Sequence, residues 1–422
     1  MISGAFSIGV SGLSAINKRM EVTSQNISNA NTEGYRKQSV AQSAVSFDNG
    51  PIDQGAGTRI DRIYSQINWS LEKQRYALTG NEAYESSKAT ALGQAEATLS
   101  ASATMLNDNI SELQSAMSNL STYPTDKAVG QAVLEAGKNL ASSVNTTLQT
   151  IDTDVANLSK QQSTLVDKVN ADMRIVAKYN EDVMRGGQVG DMAKSNAIEA
   201  AQNVAKAIGG TMISTDSGQL MLTTDRQSLV VGNTVNEFKP DAIAMSGGQL
   251  GGLESAKNEL KDAKALLSGA FDSFAASMNT QAQAGQDAQG NPGTAMFTQT
   301  AGNWSVSYTS ADEIPANGAG GQMGANAMTM AGMGAADAPA KLTESIGVMA
   351  VKMGTAVNRA QNNEKLQEAG LDAVNSQIAA ESGVDLDQEA VNLVNLQNQY
   401  AAMARVISAQ NDMLGTLLQA TA

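Results

Sequence analysis

Apolar residues at both ends of the chain recur at alternating steps of four and three. The N-terminal series is Ile2, Phe6, Gly9, Leu13, Ile16, Met20, Thr23 and Ile27. The C-terminal series is Leu393, Leu396, Tyr400, Met403, Ile407, Gln410, Leu414 and Leu417. A period of 3.5 residues keeps one narrow apolar stripe facing a partner helix. The two ends are therefore predicted to pair as one coiled coil, with the rest of the chain inserted between them. The alternative is an ordinary intramolecular two-helix hairpin without a role in assembly.

The helix surfaces outside these stripes carry few charges. The charged residues of the two terminal segments are Lys18, Arg19 and Glu21 within residues 1–32, and Arg405 and Asp412 after Glu389. The remaining outer positions hold mainly serine in the first helix, and asparagine and glutamine in the last. Hydroxyls and amides pack against neighbouring chains without the desolvation cost of buried ions. We expect a surface that meets copies of the chain or its relatives, and ends that are weakly ordered in a free monomer.

Two polar residues, Thr23 and Gln410, interrupt the apolar stripes. A polar residue inside a coiled-coil seam can fix the register of the helices. The alternative, to which we give equal weight, is that each polar residue is simply tolerated near the end of a helix.

The middle of the chain contains two longer helical patterns. In the first, leucine recurs every seven residues, with Glu85 as the single break, at Leu71, Leu78, Leu92, Leu99, Leu106, Leu113 and Leu120. In the second, the same 4-3 rhythm is kept by Val144, Leu148, Ile151, Val155, Leu158, Leu165, Val169 and Val176. Pro124 disfavours a helical conformation at the residue before it. The pattern predicts an antiparallel helix pair that turns at residues 122–126.

After residue 210 the pattern changes. Residues 211–214 and 219–222 are strand-like and flank an Asp-Ser-Gly turn, which predicts a small β-hairpin within about 211–231. Further segments are predicted as a helix from Gly252 to about Ala284, a strand at 303–308, a loop or loosely folded outward segment at 316–340, and a long helix from about Ala340 to Ala380.

The predicted fold class is mainly α with small β elements (α+β), with long antiparallel coiled-coil helices and paired terminal helices. We expect three domains. The first joins residues 1–40 to 383–422 as a terminal-helix coiled coil. The second is a long-helix bundle of 41–297 with 341–382, and 298–340 form a small outer loop or rudimentary outer domain.

Composition excludes several functions. The 422 residues include no cysteine and no histidine, which removes disulfides, histidine-dependent catalytic triads and the usual zinc or haem ligands. No catalytic, cofactor-binding or metal-binding residue is therefore predicted, and we expect no enzymatic activity. The net charge of -14 argues against nucleic acid as a partner. We also expect no membrane insertion and no cleavable secretory signal, because the apolar runs are short and the first 17 residues lack Lys and Arg.

Three motifs have both a chemical and a structural interpretation. Asp385, Asp387 and Glu389 could suggest a cation site, but their spacing fits a helix N-cap with acids in the first turn. Asp287, Gln289 and Asn291 could also hold a cation, although the neighbouring glycines and proline favour a turn. The glycine-rich run 247–252 is predicted as a turn into a helix, since no Lys-Ser or Lys-Thr of a phosphate loop follows it.

The segment after the first helix carries the most specific signal. It reads Asn-Ile-Ser-Asn-Ala-Asn-Thr-Glu-Gly-Tyr, with candidate motif residues Asn26, Ser28, Asn29, Asn31, Thr32, Gly34 and Tyr35. Together with Ser11-Gly12-Leu13 and the 382–389 segment before the last helix, it resembles the axial proteins of the bacterial flagellum, which include rod, hook and hook-associated proteins. The N-terminal motifs and the C-terminal motif each stand at the end of the chain where these proteins carry them. The long helical middle is similar to that of hook-associated proteins from the hook–filament junction.

The resemblance implies a structural subunit outside the cell, exported by the flagellar type III apparatus. Its terminal helices would line a central channel, and the long-helix domain would form the next shell outward. Implied partners are other copies of the chain in a ring, the hook protein, the second hook–filament junction protein and a flagellar export chaperone. A hook or rod protein of the same family is the alternative. A fused enzyme that remodels cell wall is disfavoured, because no paired catalytic carboxylates lie in a plausible module.

Overall fold

The computed structural model describes residues 2–32, 35–47, 54–65, 68–186, 191–215, 217–224, 226–239, 242, 247–334 and 341–421. The helices are α1 (Ile2–Ser28), α2 (Trp69–Thr122), α3 (Lys127–Met184), α4 (Asp191–Ile208), α5 (Gly248–Ala284), α6 (Ala325–Ala331), α7 (Leu342–Ser382) and α8 (Leu386–Thr421). The strands are β1 (Gln38–Phe47), β2 (Gln54–Ser65), β3 (Thr211–Ser214), β4 (Leu220–Thr223), β5 (Ser228–Val231), β6 (Thr234–Val235), β7 (Phe297–Thr300) and β8 (Asn303–Val306). The fold class predicted from sequence is confirmed, since helices dominate and the described sheets are small and antiparallel.

Backbone packing divides the chain into two compact units. Unit 1 combines Met1–Arg75 with Gly370–Ala422, and unit 2 is Tyr76–Ala369. Unit 1 contains α1, the β1–β2 hairpin and α8. Unit 2 contains most of α2 and α7 and everything between them. The chain therefore enters and leaves unit 2 through long helices that begin or end in unit 1.

The antiparallel pair α2–α3 forms as predicted. Helix α2 ends at Thr122, two residues before Pro124, and Asp126 begins α3 by accepting hydrogen bonds from the backbone N–H groups of Ala128 and Val129. Asn109 Nδ2 of α2 donates to Ser143 Oγ of α3 over 3.0 Å. This contact links positions nearly equidistant from the turn, as an antiparallel pair requires.

The heptad leucines fill the core of unit 2. Leu92, Leu99, Leu106, Leu113 and Leu120 are buried, and they share one cluster with apolar residues of α3, α5 and α7. Glu85, which breaks the leucine repeat, accepts a hydrogen bond from Asn363 of α7 at 3.0 Å. The break in the leucine repeat thus marks a position where α7 meets α2.

The β-structure is more extensive than the sequence predicts. The hairpin β3–β4 forms as expected, although Asp216 of its turn lies outside the described residues. Strands β5 and β6 extend it to four strands. The long β1–β2 hairpin, with Val40 opposite Ile63, was missed because its alternation is interrupted by register shifts near Ala41 and Val45.

Residues 316–334 differ from the expected loosely folded outward segment. Ala316, Ala327 and Met330 are buried in the core cluster of unit 2. Asn326 Nδ2 donates to the backbone oxygen of Pro315 over 2.6 Å, and Gln281 Nε2 donates to Asn326 Oδ1 over 2.6 Å. Small apolar residues conceal this packing in the sequence, because their glycine- and alanine-rich composition is typical of loops. The rest of the segment, 335–340, lies outside the described residues.

Two of the ambiguous motifs are structural. Asp287 Oδ1 accepts the backbone N–H groups of Gln289 and Asn291, both at 2.8 Å, which makes the turn that was favoured over a cation site. The glycine-rich run begins α5, and Gly248 has a positive φ of 57°. Among the helices as described, none has an apolar stretch sufficient to cross a membrane.

Candidate functional site

Helices α1 and α8 pair antiparallel within unit 1. At one end, Asn26 of α1 contacts Glu389 of α8. Farther along, a Cβ on Gly9 would lie 2.9 Å from Ile407 Cγ1, and a Cβ on Gly12 would lie 2.9 Å from Met403 Cε. These three contacts fit a single antiparallel alignment of α1 against α8. The glycines that lower helix propensity therefore allow the helices to approach closely.

The predicted seam residues differ in burial. Ile16 and Leu396 are buried, whereas Phe6 is 40% exposed and Tyr400 is 39% exposed. Six more are half-buried: Leu13, Met20, Ile27, Leu393, Met403 and Ile407. The side chains of Ile2, Leu414 and Leu417 lie outside the described residues. Together these positions form the assembly seam that the sequence predicts.

The polar residues within the stripes have different surroundings. Thr23 is buried. Gln410 is half-buried, and its Oε1 atom is buried without a hydrogen-bond partner in the described part of the chain. An unsatisfied buried amide oxygen costs free energy, so a donor from another molecule would stabilise this position.

The outer face of α8 is more apolar than the sequence suggests. Val391, Val394, Val406 and Met413 are between 49% and 60% exposed. In the sequence these residues stand outside the 4-3 series of the seam, and several lie beside the amide residues of the outer face. The sequence pattern therefore did not indicate an apolar outer face. Several exposed apolar residues on one side of a helix are typical of an interaction surface.

A buried polar network, here called the clasp, closes the end of this helix pair. Its inner members are Asn26, Tyr35, Lys37, Gln38 and Glu389. Asn26 Oδ1 accepts from the Gln38 backbone N–H at 2.9 Å and from the Tyr35 hydroxyl at 3.0 Å. Asn26 Nδ2 donates to the Gln38 carbonyl oxygen at 2.9 Å and to Glu389 Oε2 at 3.4 Å. The Asn26 amide thus holds the first residue of β1 as a neighbouring strand would.

Glu389 is the charged centre of the clasp. Its side chain is only 2% exposed, and Lys37 Nζ lies 2.8 Å from its Oε1 atom. Burial, and then the Glu389 carboxylate nearby, raise the pKa of the Tyr35 hydroxyl above its ordinary value, so Tyr35 stays a protonated donor. A buried carboxylate with a matched cation is costly to disrupt, because removal of either partner leaves an uncompensated charge.

The outer members of the clasp are Arg36, Glu72, Arg75 and Ser382. Glu72 forms ion pairs with Arg36 and with Arg75, the latter at 3.0 Å. Arg36 Nη1 also donates to Ser382 Oγ at 3.1 Å. In addition, the Lys37 backbone N–H donates to the Ser382 carbonyl oxygen at 2.9 Å. The start of α2 and the end of α7 are thereby tied to the same segment.

Only part of the motif enters the clasp. Asn26 and Tyr35 belong to it, whereas Ser28, Asn31 and Thr32 are exposed. Asn29 Nδ2 donates to the Gln25 carbonyl oxygen at 2.9 Å and so ends α1. Gly34 lies outside the described residues.

Sequence reasoning missed the charged members of the clasp. Asp385 caps α8 as predicted, by accepting from the backbone N–H groups of Asp387 and Gln388. Glu389 lies in the first turn of α8, as predicted, but the sequence did not indicate that its side chain is buried. The available signal was the position of Arg36, Lys37 and Glu389 beside two long helices that carry few charges. Among the described residues, no group of acidic side chains is suited to hold a metal ion.

Comparison with protein families gives three matches. The model described as "Flagellar hook-associated protein FlgK helical domain" matches residues 92–242. The model "Flagella basal body rod protein" matches residues 6–36, and "Flagellar basal body rod FlgEFG protein C-terminal" matches residues 376–420. The last two ranges include Asn26, Tyr35 and Arg36 on one side of the clasp, and Ser382 and Glu389 on the other.

Individual relatives agree with these matches. The chain is 23% identical to flagellar hook-associated protein 1 of Bacillus subtilis, over 96% of this chain and 96% of the relative. It is also 23% identical to flagellar hook-associated protein 1 of Escherichia coli, over 70% of this chain and 60% of that protein. A solved structure of the flagellar hook junction protein FlgK from Burkholderia pseudomallei aligns with a TM-score of 0.49 and 20% identity, over 54% of this chain and 47% of that one.

Proposed function

The chain belongs to the family of flagellar hook-associated protein 1, and from that premise we propose that it is a structural subunit joining the hook to the filament of the bacterial flagellum. It acts by assembly and not by catalysis. It meets other copies in a ring, the hook protein on one side and the second junction protein on the other. The observation that carries the proposal is the antiparallel α1–α8 pair, which exposes apolar residues along an almost uncharged surface.

The exposed residues of α8 support contact with neighbouring subunits. Val391 and Val394 lie on one side of the first turns of α8, and Val406 lies about three turns beyond Val394. Burial of apolar surface favours association by about 25 cal/mol per Å². The surrounding amides and hydroxyls allow contacts to shift without leaving a buried charge unpaired. Such a surface suits a junction between two different helical assemblies.

Placement of the terminal pair at the central channel is part of this proposal. Export through the flagellar type III apparatus and an export chaperone at the C-terminal region belong to it as well. The absence of cysteine agrees with passage between redox compartments. The alternative of a hook or rod protein shares both terminal motifs, but the match at 92–242 favours a hook-associated protein.

Substitution of the exposed valines tests the assembly surface. The triple variant Val391→Asn, Val394→Asn and Val406→Asn should reduce the number of filaments per cell by about tenfold or more, because it removes apolar contact area between subunits. Filaments are counted by electron microscopy in a strain that produces only the variant. Hooks of normal length without filaments are expected, whereas a hook or rod protein would leave hooks absent or short.

A matched control separates assembly from folding. Asn392 and Asn398 lie on the same helix and are also exposed. The substitutions Asn392→Ser and Asn398→Ser should therefore leave filament numbers normal. The circular dichroism of the purified triple variant should equal that of the parent chain. Normal filament numbers in the triple variant would contradict the proposed role of this surface.

A further inference from the structure

Five asparagines among the described residues share one arrangement. Each lies on a helix, and its side-chain amide binds both the backbone N–H and the backbone carbonyl oxygen of a single residue outside the helices. The pairs are Asn26 with Gln38, Asn145 with Trp304, Asn170 with Phe238, Asn180 with Leu220, and Asn279 with Phe297. An amide side chain can replace one residue of a neighbouring strand in this way, because it offers a donor and an acceptor side by side. Two of the pairs belong to a single hairpin, β7–β8.

The β7–β8 hairpin is held at both of its edges. Asn279 of α5 binds Phe297 of β7, donating to its carbonyl oxygen over 2.7 Å and accepting from its N–H at 2.8 Å. Asn145 of α3 binds Trp304 of β8 in the same way, at 2.8 Å and 2.9 Å. The two helices are therefore joined through one hairpin.

The register of the hairpin explains why Phe297 and Trp304 bind the asparagines. The Ser307 N–H donates to the Met296 carbonyl oxygen over 2.8 Å, so the two chain segments bond to each other at that pair. Bonded pairs alternate with unbonded pairs in an antiparallel hairpin. Phe297 and Trp304 fall in unbonded pairs, and their backbone polar groups point away from the hairpin. Each outward pair of groups needs a partner, which an asparagine supplies.

The hairpin approaches α3 closely because Gly137 has no side chain. A Cβ at this position would lie 2.8 Å from Met296 Cε and 3.2 Å from Val306 Cγ2. Asn145 follows about two turns farther along α3. The close approach at the glycine and the amide pair at the asparagine thus both bring β8 onto α3.

Aromatic rings connect the hairpin to α5. Trp304 and Phe297 both meet Phe271 of α5 edge to face, with ring centroids 5.2 Å and 5.7 Å apart. Phe274 of α5 lies 6.0 Å from Phe297 by the same measure. Aromatic pairs at such distances stabilise packing beyond the burial of their area. The hairpin therefore contacts α5 through its rings and its β7 edge, and α3 through its β8 edge.

The hairpin has few other contacts to keep it closed. Each strand has four residues, and a two-stranded hairpin is marginally stable on its own in water. Phe297 is buried, whereas the other strand residues are half-buried or exposed. Trp304 Nε1 is buried without a hydrogen-bond partner in the described part of the chain, which costs free energy only while the hairpin is docked. Docking thus depends on the asparagine pairs and the aromatic rings.

We propose that β7–β8 is a strap between α3 and α5 that docks and opens as one unit, with Asn145 and Asn279 as its two fasteners. Loss of either asparagine favours opening of the whole strap, because the rings and the opposite edge belong to the same short hairpin. The α2–α3 pair keeps its own contacts, such as Asn109 with Ser143, and stays folded when the strap opens. Local opening of this kind is separate from unfolding of the whole domain. The strap is a property of unit 2 and goes beyond the proposed function.

Hydrogen exchange at the two edges tests whether the strap opens as one unit. Asn145→Ala should accelerate exchange of the Phe297 amide about tenfold or more, although that amide keeps its own asparagine. Asn279→Ala should likewise accelerate exchange of the Trp304 amide. Exchange is measured on the full chain and resolved to single residues by mass spectrometry.

Further variants separate opening of the strap from loss of folding. Asn157→Ala on α3 and Asn258→Ala on α5 replace exposed asparagines of the same helices, and they should leave exchange of both edge amides unchanged. Gly137→Leu keeps both fasteners but forces β8 away from α3, so it should accelerate both edge amides together. The amide of Leu106, in the core of α2, should stay protected in every variant.

Two outcomes would overturn the proposal. Acceleration limited to the amide that the replaced asparagine had bound would mean that the two edges open separately. Equal acceleration at Leu106 would mean that unit 2 unfolds as a whole and that no separate strap exists. Neither outcome bears on the proposed function, which is judged by filament counts.

Discussion

Replacement of Asn26 by leucine is expected to destabilise unit 1 by about 3–5 kcal/mol and to abolish filament assembly. Leucine has the same branched arrangement of side-chain heavy atoms but is larger and offers no hydrogen bonds. The Gln38 N–H and carbonyl oxygen and the Tyr35 hydroxyl would all lose their partner at a site where Asn26 is 1% exposed. Each buried group left unsatisfied costs about 1–3 kcal/mol. Amide hydrogen exchange at Gln38 in the full chain reports the loss, and filament counts report its consequence.

The same motif supplies the control for this prediction. Asn31 is exposed, so Asn31→Ala should change the free energy of unfolding by no more than about 0.5 kcal/mol. Equal effects of Asn26→Leu and Asn31→Ala would mean that the motif acts through a partner molecule and not through the clasp.

Replacement of Gly252 by alanine is expected to destabilise unit 2 by about 3 kcal/mol. A Cβ at this position would lie 2.1 Å from the backbone carbonyl oxygen of Tyr84, which belongs to α2. Backbone of a packed helix moves only with its neighbours, so α5 must shift away from α2 as a whole. Urea unfolding followed by circular dichroism measures the effect in the full chain.

Gly269 is a matched control on the same helix. A Cβ there would meet no atom within 4 Å. Gly269→Ala should therefore stabilise the protein by about 0.5–1 kcal/mol, through the higher helix propensity of alanine. Loss of stability in Gly269→Ala, or no loss in Gly252→Ala, would show that the helices do not approach as described.

Long periodic segments made the helices of this chain predictable. The leucine repeat of α2 and the turn at Pro124 follow from local chemistry, because seven-residue spacing and a proline act within a few turns. The core of 316–334 could not be predicted in the same way. Alanine and methionine there are buried by contacts with α5, which is distant in sequence, and their composition is typical of loops.

The clasp shows the limit of motif reasoning. The motif was recognised, yet the sequence did not indicate that Asn26 and Tyr35 would be joined to Glu389 or that Ser28 and Asn31 would stay outside. Hydrogen-bond partners depend on how α1 and α8 align along their length. That alignment is set by the close approach at Gly9 and Gly12, and neither glycine reveals its partner in the sequence.

The contact between Asn26 and Glu389 joins residues 363 positions apart. A ribosome makes the chain from the N-terminus onward, so α1 is complete long before its partner helix exists. The clasp is therefore among the last tertiary contacts that synthesis permits, and loop closure over most of the chain slows it further. Until the final helix is made, α1 has no partner helix within its own chain, and the timing of synthesis itself keeps the two ends apart.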